Sequence, residues 1–67
     1  MADPEGVARD VDVIHRMKNH LAIILGFCEL LLEDLALDDR RRADILEIRK
    51  AADAARLDLP EISRRLS

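Results

Sequence analysis

The stretch "LALDDRRRADIL", residues 35–46, decides the architecture. Upstream of it, apolar residues recur at alternating steps of four and three: Val7, Val11, Ile14, a polar gap at Lys18, then Leu21, Leu25, Cys28, Leu32 and Leu35. That spacing is the seam of an amphipathic helix. Downstream runs a second seam of Ile45, Ile48, Ala52, Ala55, Leu59, Ile62 and Leu66. No Gly or Pro lies between the two, so chain breakers do not separate one long helix from two shorter ones. Phase does. Continuing the first seam would place Asp39, Arg42, Arg49, Asp53 and Arg56 on the stripe, with Leu46 its only apolar member. The second seam is offset by one residue, about 100° around a helix. The offset falls within the wholly charged Asp38-Asp39-Arg40-Arg41-Arg42. The expected arrangement is a helix over about 4–36, a turn at about 37–39 and a second helix over about 40–58. Asp38 or Asp39 is expected to cap the second helix. Arg40, Arg41 and Arg42 then stand in its first turn, where they oppose the helix dipole at a local cost.

The ends follow from local chemistry. Asp3-Pro4-Glu5 reads as a helix start: a carboxylate cap, a proline in the first turn, then an acid near the positive helix end. Pro60 interrupts the second seam and deprives a continuous helix of one hydrogen bond at the Arg56 carbonyl. Asp58-Leu59-Pro60-Glu61 also has the form of a capping box, so the second helix is expected to kink or to restart as a short terminal helix over 59–66.

Composition sets the class. With 67 residues, 49% apolar and 37% charged, and Phe27 the single aromatic, the chain is expected to be all-α with an aliphatic core. A core in a chain of this length needs support from disulfides, metal or association. Cys28 is the only cysteine, which excludes an internal disulfide, and no Cys/His spacing suggests zinc. Association remains. Met17, Ile24 and Leu31 form a second stripe beside the first seam, wider than a two-stranded coiled coil requires. An antiparallel helical hairpin with such faces is covered when two copies pair as a homodimeric four-helix bundle.

A net charge of −3 argues against nucleic acid as the main partner. The longest apolar stretch, Leu21 to Leu32, contains Glu29 and falls well short of a membrane span, so no membrane partner is expected. Met1 to Arg9 lacks the basic-then-apolar pattern of a secretory signal, and a cytoplasmic location is expected.

One of only two histidines, His15, opens the best apolar segment. It should flank the seam, about 100° from Ile14, with its ring reaching solvent. Asp12 lies three residues before it, Asn19 four after it, and Arg16 and Lys18 beside it. Neutral imidazole is a nitrogen nucleophile at pH 7, a neighbour bonded to one ring nitrogen fixes the tautomer, and cations stabilise a phosphoryl group in flight. From chemistry alone, such a histidine is more often a solvated surface residue.

The run His15-Arg16-Met17-Lys18-Asn19, continued by Leu21, Ile24, Gly26, Phe27, Glu29, Leu30 and Leu31, resembles the phosphoacceptor helix of sensor histidine kinases. In that family the dimerisation and histidine-phosphotransfer domain is a two-helix hairpin that pairs into a four-helix bundle. The resemblance covers about Ile14 to Leu32. It implies His15 as phosphoacceptor, Lys18 as the motif's basic residue and Asn19 as the polar residue associated with orienting water. Arg16 replaces the acid common in the largest subgroup; the His-Arg-x-Lys-Asn pattern resembles a smaller subgroup. The usual general base is thereby removed, and Asp12, or Asp44 or Glu47 from the second helix, is the expected substitute. His20, five residues from His15, stands where a helix-bending proline is common and is expected at the surface.

No ATP-binding motif accompanies the hairpin, neither a P-loop nor the kinase domain's own signatures. The chain is therefore expected to be a piece of a kinase or a free-standing phosphotransfer protein. It would exchange its phosphoryl group with an aspartate on a response-regulator receiver domain, or take it from an ATP-binding kinase domain in trans. No metal or cofactor is expected on this chain; Mg2+ would reside on the receiver. A rival reading keeps the fold but makes it a non-catalytic interaction protein that binds or inhibits a kinase or receiver. A third is a helical dimerisation segment unrelated to signalling. Cys28 is expected to be buried, Gly26 to allow close helix approach or a receiver contact, and Ala51, Ala52, Ala54 and Ala55 to mark tight helix packing.

Overall fold

The computed structural model describes residues 4–66, and these form two α-helices, α1 (Pro4–Asp34) and α2 (Arg41–Leu66). The helices fold back on one another as an all-helical antiparallel hairpin, 55 Å long and 15 Å by 11 Å across. The proposed cap Asp3 and the side chain of the seam residue Val7 lie outside what is described.

The first seam is the contact face of α1. Val11, Ile14, Leu21, Leu25, Leu32 and Leu35 are half-buried, Cys28 is buried, and the interrupting Lys18 is exposed. On α2 the contact line is rotated from the expected seam. Ile45, Ala52 and Leu59 are buried, as that seam requires, but Ile48 and Ile62 are exposed, and Arg42, Arg49 and Ser63 are half-buried instead. A straight helix drifts about 20° per heptad against a seven-residue repeat, so a single partner helix covers only a narrow line of a broad apolar face. Of the alanines, Ala52 is buried and Ala55 half-buried, while Ala51 and Ala54 face outward.

The turn departs from expectation by a few residues, for identifiable reasons. α1 ends at Asp34 rather than near 36, although the Leu35 N–H still donates to the Leu31 carbonyl at 3.0 Å. The connection is closed by the Asp39 N–H donating to the Ala36 carbonyl at 3.0 Å. Of the two candidate caps, Asp39 takes the role: its Oδ1 accepts the Arg41 backbone N–H at 2.9 Å. The Arg41 side chain returns to the same carboxylate, Nε to Oδ1 at 3.1 Å and Nη2 to Oδ2 at 2.8 Å. These bonds to Arg41, side chain first and then backbone, hold the Asp39 carboxyl at about 2, below its ordinary 3.8.

The arginines that opposed the α2 dipole also have a compensation. Arg42 reaches across the turn, and its Nη1 donates to the Leu32 carbonyl at 2.8 Å. That carbonyl belongs to the last turn of α1, where backbone acceptors lack helical partners and the dipole end is negative. A cation badly placed for its own helix is well placed for the preceding one.

Pro60 does not end α2. The helix runs unbroken from Arg41 to Leu66, so a separate terminal helix over 59–66 is not formed. Leu59 is buried on one side of the proline and Leu66 half-buried beyond it, so packing against α1 continues past the lost hydrogen bond.

Candidate functional site

The two faces beside the helix contact differ in chemistry. On one, Val13 and Met17 of α1 share a groove with Ile62 of α2, and Ile24 and Leu31 continue the same stripe at helical spacing. On the other, Glu29 of α1 accepts a hydrogen bond from Arg49 of α2 at 3.1 Å, and Leu25 and Leu46 lie at the base of a groove rimmed by charged side chains.

His15 belongs to the polar side. It is exposed, and it lies about 160° around α1 from Met17. Asp12 and Lys18 flank it at about 60° on either side. The two flanks open into different concavities. Asp12 and His15 line a shallow depression with Arg9, Val13 and Arg16 on the outer side of α1. Lys18 lines a groove against α2, formed with Ile14, Arg56, Leu59, Pro60 and Ser63. His15 thus lines a hollow that carries one carboxylate and two arginines, and Lys18, three residues on, lines a separate groove against α2. Asn19 is exposed one turn farther along the same side.

Local helix chemistry explains why the ring is free. Its position is outside the seam, and no hydrogen bond ties it to another described residue. An exposed neutral imidazole keeps one ring nitrogen unprotonated and open to an incoming group.

The hairpin does not bring all the proposed bases together. Glu47 lines the groove shared with Leu25 and Glu29, about 15 Å along the helix from His15. Asp44 lies closer still to the turn. Within one chain both are therefore excluded as partners of His15, and Asp12 is the remaining carboxylate of the three. Of the two roles expected for Gly26, close approach within the hairpin is not formed, since a Cβ built there meets nothing within 4 Å. His20 is exposed and Cys28 buried, both as expected.

Arg56, Pro60 and Ser63 escaped the sequence reading. A signal for them existed: Lys18 lies sixteen residues before Asp34, and sixteen residues after Arg41 is Leu57, next to Arg56. The one-residue uncertainty in each helix boundary blurred which α2 side chains stand beside Lys18.

Among the described residues, no group of three His, Cys, Asp or Glu side chains is placed to hold a metal ion, and no helix is long and apolar enough to cross a membrane. No protein-family model matches the chain, and no curated protein or solved structure matches it.

Proposed function

We propose that the chain is a phosphotransfer module of two-component signalling, with His15 accepting a phosphoryl group from, and returning it to, an aspartate on a receiver domain. The observation that carries this reading is the exposed His15 ring with Asp12 on one side and Lys18 on the other, on the polar face of the hairpin. The motif resemblance over Ile14 to Leu32 supports it independently.

The chemistry follows from those three side chains. The unprotonated ring nitrogen attacks phosphorus, an N–P bond forms, and the P–O bond to the receiver's aspartate breaks with the electron pair leaving on the carboxylate. The phosphorylated ring then carries one remaining N–H proton, which Asp12, three residues earlier on the same helix, accepts or holds by hydrogen bonding. Lys18 offsets charge on the moving phosphoryl oxygens. Arg16 adds positive charge at the outer rim, and Asn19 is positioned to orient a water for hydrolysis. The receiver supplies its own Mg2+.

Two copies complete the fold as a homodimeric four-helix bundle. Support comes from Met17, Ile24 and Leu31 on α1 and Ile48 and Ile62 on α2, all exposed in the single hairpin although their spacing is that of a core. Among the described residues, only Cys28, Ile45, Ala52 and Leu59 are buried apolar residues within one chain, a small core for two long helices. A further apolar patch, Ile23, Phe27 and Leu30, is 58%, 63% and 55% exposed. It lies on the outer side of α1, beginning about 12 Å along the helix from His15. A receiver whose aspartate reaches His15 would rest on this patch.

The test uses a receiver domain phosphorylated by a small-molecule donor and mixed with the purified chain. Transfer should yield acid-labile, base-stable phosphate on His15, and His15→Ala should abolish it while leaving the oligomer intact. Undiminished labelling of the His15→Ala protein sinks the assignment. The rival reading, an interaction protein without phosphotransfer, draws on Arg16 and on the outer apolar patch. It is favoured if the His15→Ala protein still regulates its partner.

A further inference from the structure

We propose that the phosphoryl site of His15 is completed by the second helix of the same chain: Arg56 and Ser63, facing Lys18 across one groove, bind the non-transferring phosphoryl oxygens. The proposal rests on the phosphoacceptor role of His15 given above, and it adds residues that the motif does not contain.

The groove is lined by Ile14, Lys18, Arg56, Leu59, Pro60 and Ser63. Two of these are cations, one from each helix, and none is an acid. Arg56 shares its charge with Asp53, so the groove's net positive charge rests on Lys18. Arg56 is held rather than loose: its Nη2 donates to Asp53 Oδ1 at 2.8 Å, one turn earlier on α2. That bond restrains one edge of the guanidinium and leaves Nη1 and Nε for another acceptor. Lys18 has no carboxylate partner among the described residues. The Ser63 hydroxyl adds a donor that rotates to suit.

The chemistry of the groove selects an anion with several oxygens. A point cation, a planar fork and a hydroxyl match a tetrahedral phosphoryl group better than a single planar carboxylate. The groove lies between a chain's own α1 and α2, on the side opposite the apolar stripe. Pairing of two copies through that stripe leaves each groove open and each His15 served by its own α2.

His20 provides an internal reference. It is exposed on the same helix, about 140° around from His15, and lines none of the grooves described above. The experiment treats the intact chain with potassium phosphoramidate and measures labelling of each histidine by mass spectrometry at neutral pH. In this reaction a ring nitrogen forms the N–P bond, the donor's P–N bond breaks, and ammonia leaves from the donor's protonated nitrogen. The phosphorylated ring releases its remaining N–H proton to solvent.

His15 should label faster than His20 by roughly fivefold, the scale expected of one exposed charge pair. Arg56→Gln should bring the ratio toward one without altering the His20 rate, and Arg56→Lys should restore most of it. Raised salt should lower the ratio in the unmodified chain more than in Arg56→Gln. Circular dichroism of each variant checks that helicity is kept. A ratio indifferent to Arg56→Gln, or a change shared equally by both histidines, overturns the proposal while leaving receiver-dependent transfer standing. A ratio that responds to Arg56 in a chain that no phosphorylated receiver labels keeps the groove and removes the signalling role.

Discussion

The two long faces of the hairpin are built from the same helices and differ in what they leave unfinished. The polar face is satisfied within one chain: Arg49 meets Glu29, Arg42 meets the Leu32 carbonyl, and Arg56 meets Asp53. The apolar face is not, since Met17, Ile24, Leu31, Ile48 and Ile62 remain exposed on it. The difference teaches where each kind of partner belongs. A face that needs covering at all times suits a second copy, and a face already complete is free to meet a transient partner at His15.

The sharpest way to break this comparison is a charge on the unfinished face. Ile24→Asp should cost the assembled form about 3–5 kcal/mol, the scale of an uncompensated buried charge. Sedimentation should then show a monomer with reduced helicity. A variant with unchanged mass and helicity would mean that the face is never covered. Next in size is the shared core. Leu59 is 4% exposed, and Leu59→Ala should lower stability to urea by about 2–4 kcal/mol whether or not the chain pairs.

A smaller effect of opposite sign probes the polar face. Gly26 lies in mid-helix with open space where a side chain would be, so Gly26→Ala should stabilise the chain by about 1 kcal/mol. If it instead weakens receiver binding more than it alters melting, Gly26 marks where the partner's backbone comes close. The smallest effect is at the turn. Asp39 is held near 2 against an ordinary 3.8, so its charge contributes stability that is fully present above about 3.8 and lost as pH falls toward 2. Asp39→Asn, which keeps a capping side chain, should flatten the acid side of the stability curve in that window. An unchanged curve would show that the Asp39–Arg41 fork does not matter to folding.

Much of the fold was legible because helical periodicity is a local property. Val11, Ile14, Leu21, Leu25, Cys28, Leu32 and Leu35 were assigned to one seam by spacing alone, and each is shielded in the hairpin. The α2 line was less legible. Ile48 and Ile62 satisfy the same spacing as Ile45 and Leu59, and spacing does not say which half of a broad apolar face meets the neighbouring helix. Of the two outcomes expected at Pro60, the restart is not formed, for a related reason. The proline's cost is local and readable, whereas the packing of Leu59 and Leu66 that carries α2 past it involves residues distant in the chain. At the candidate site, His15, Asp12 and Lys18 were legible because helix geometry relates residues three apart. Asp44 and Glu47 were misplaced because their distance from His15 depends on the register of the two helices.

Sequence by itself determined that there are two amphipathic helices, that a charged break parts them, and that an imidazole stands outside the seam between an acid and a base. Those features depend on residues within a turn or two of one another. Only the tertiary structure decided that Arg42 serves the end of α1, that Arg56 and Ser63 face Lys18, and that Met17, Ile24, Leu31, Ile48 and Ile62 stay uncovered beside the helix contact. Each of these depends on the rotation and register of α2 against α1, and those are set by the summed packing of both seams rather than by any residue's neighbours in the chain.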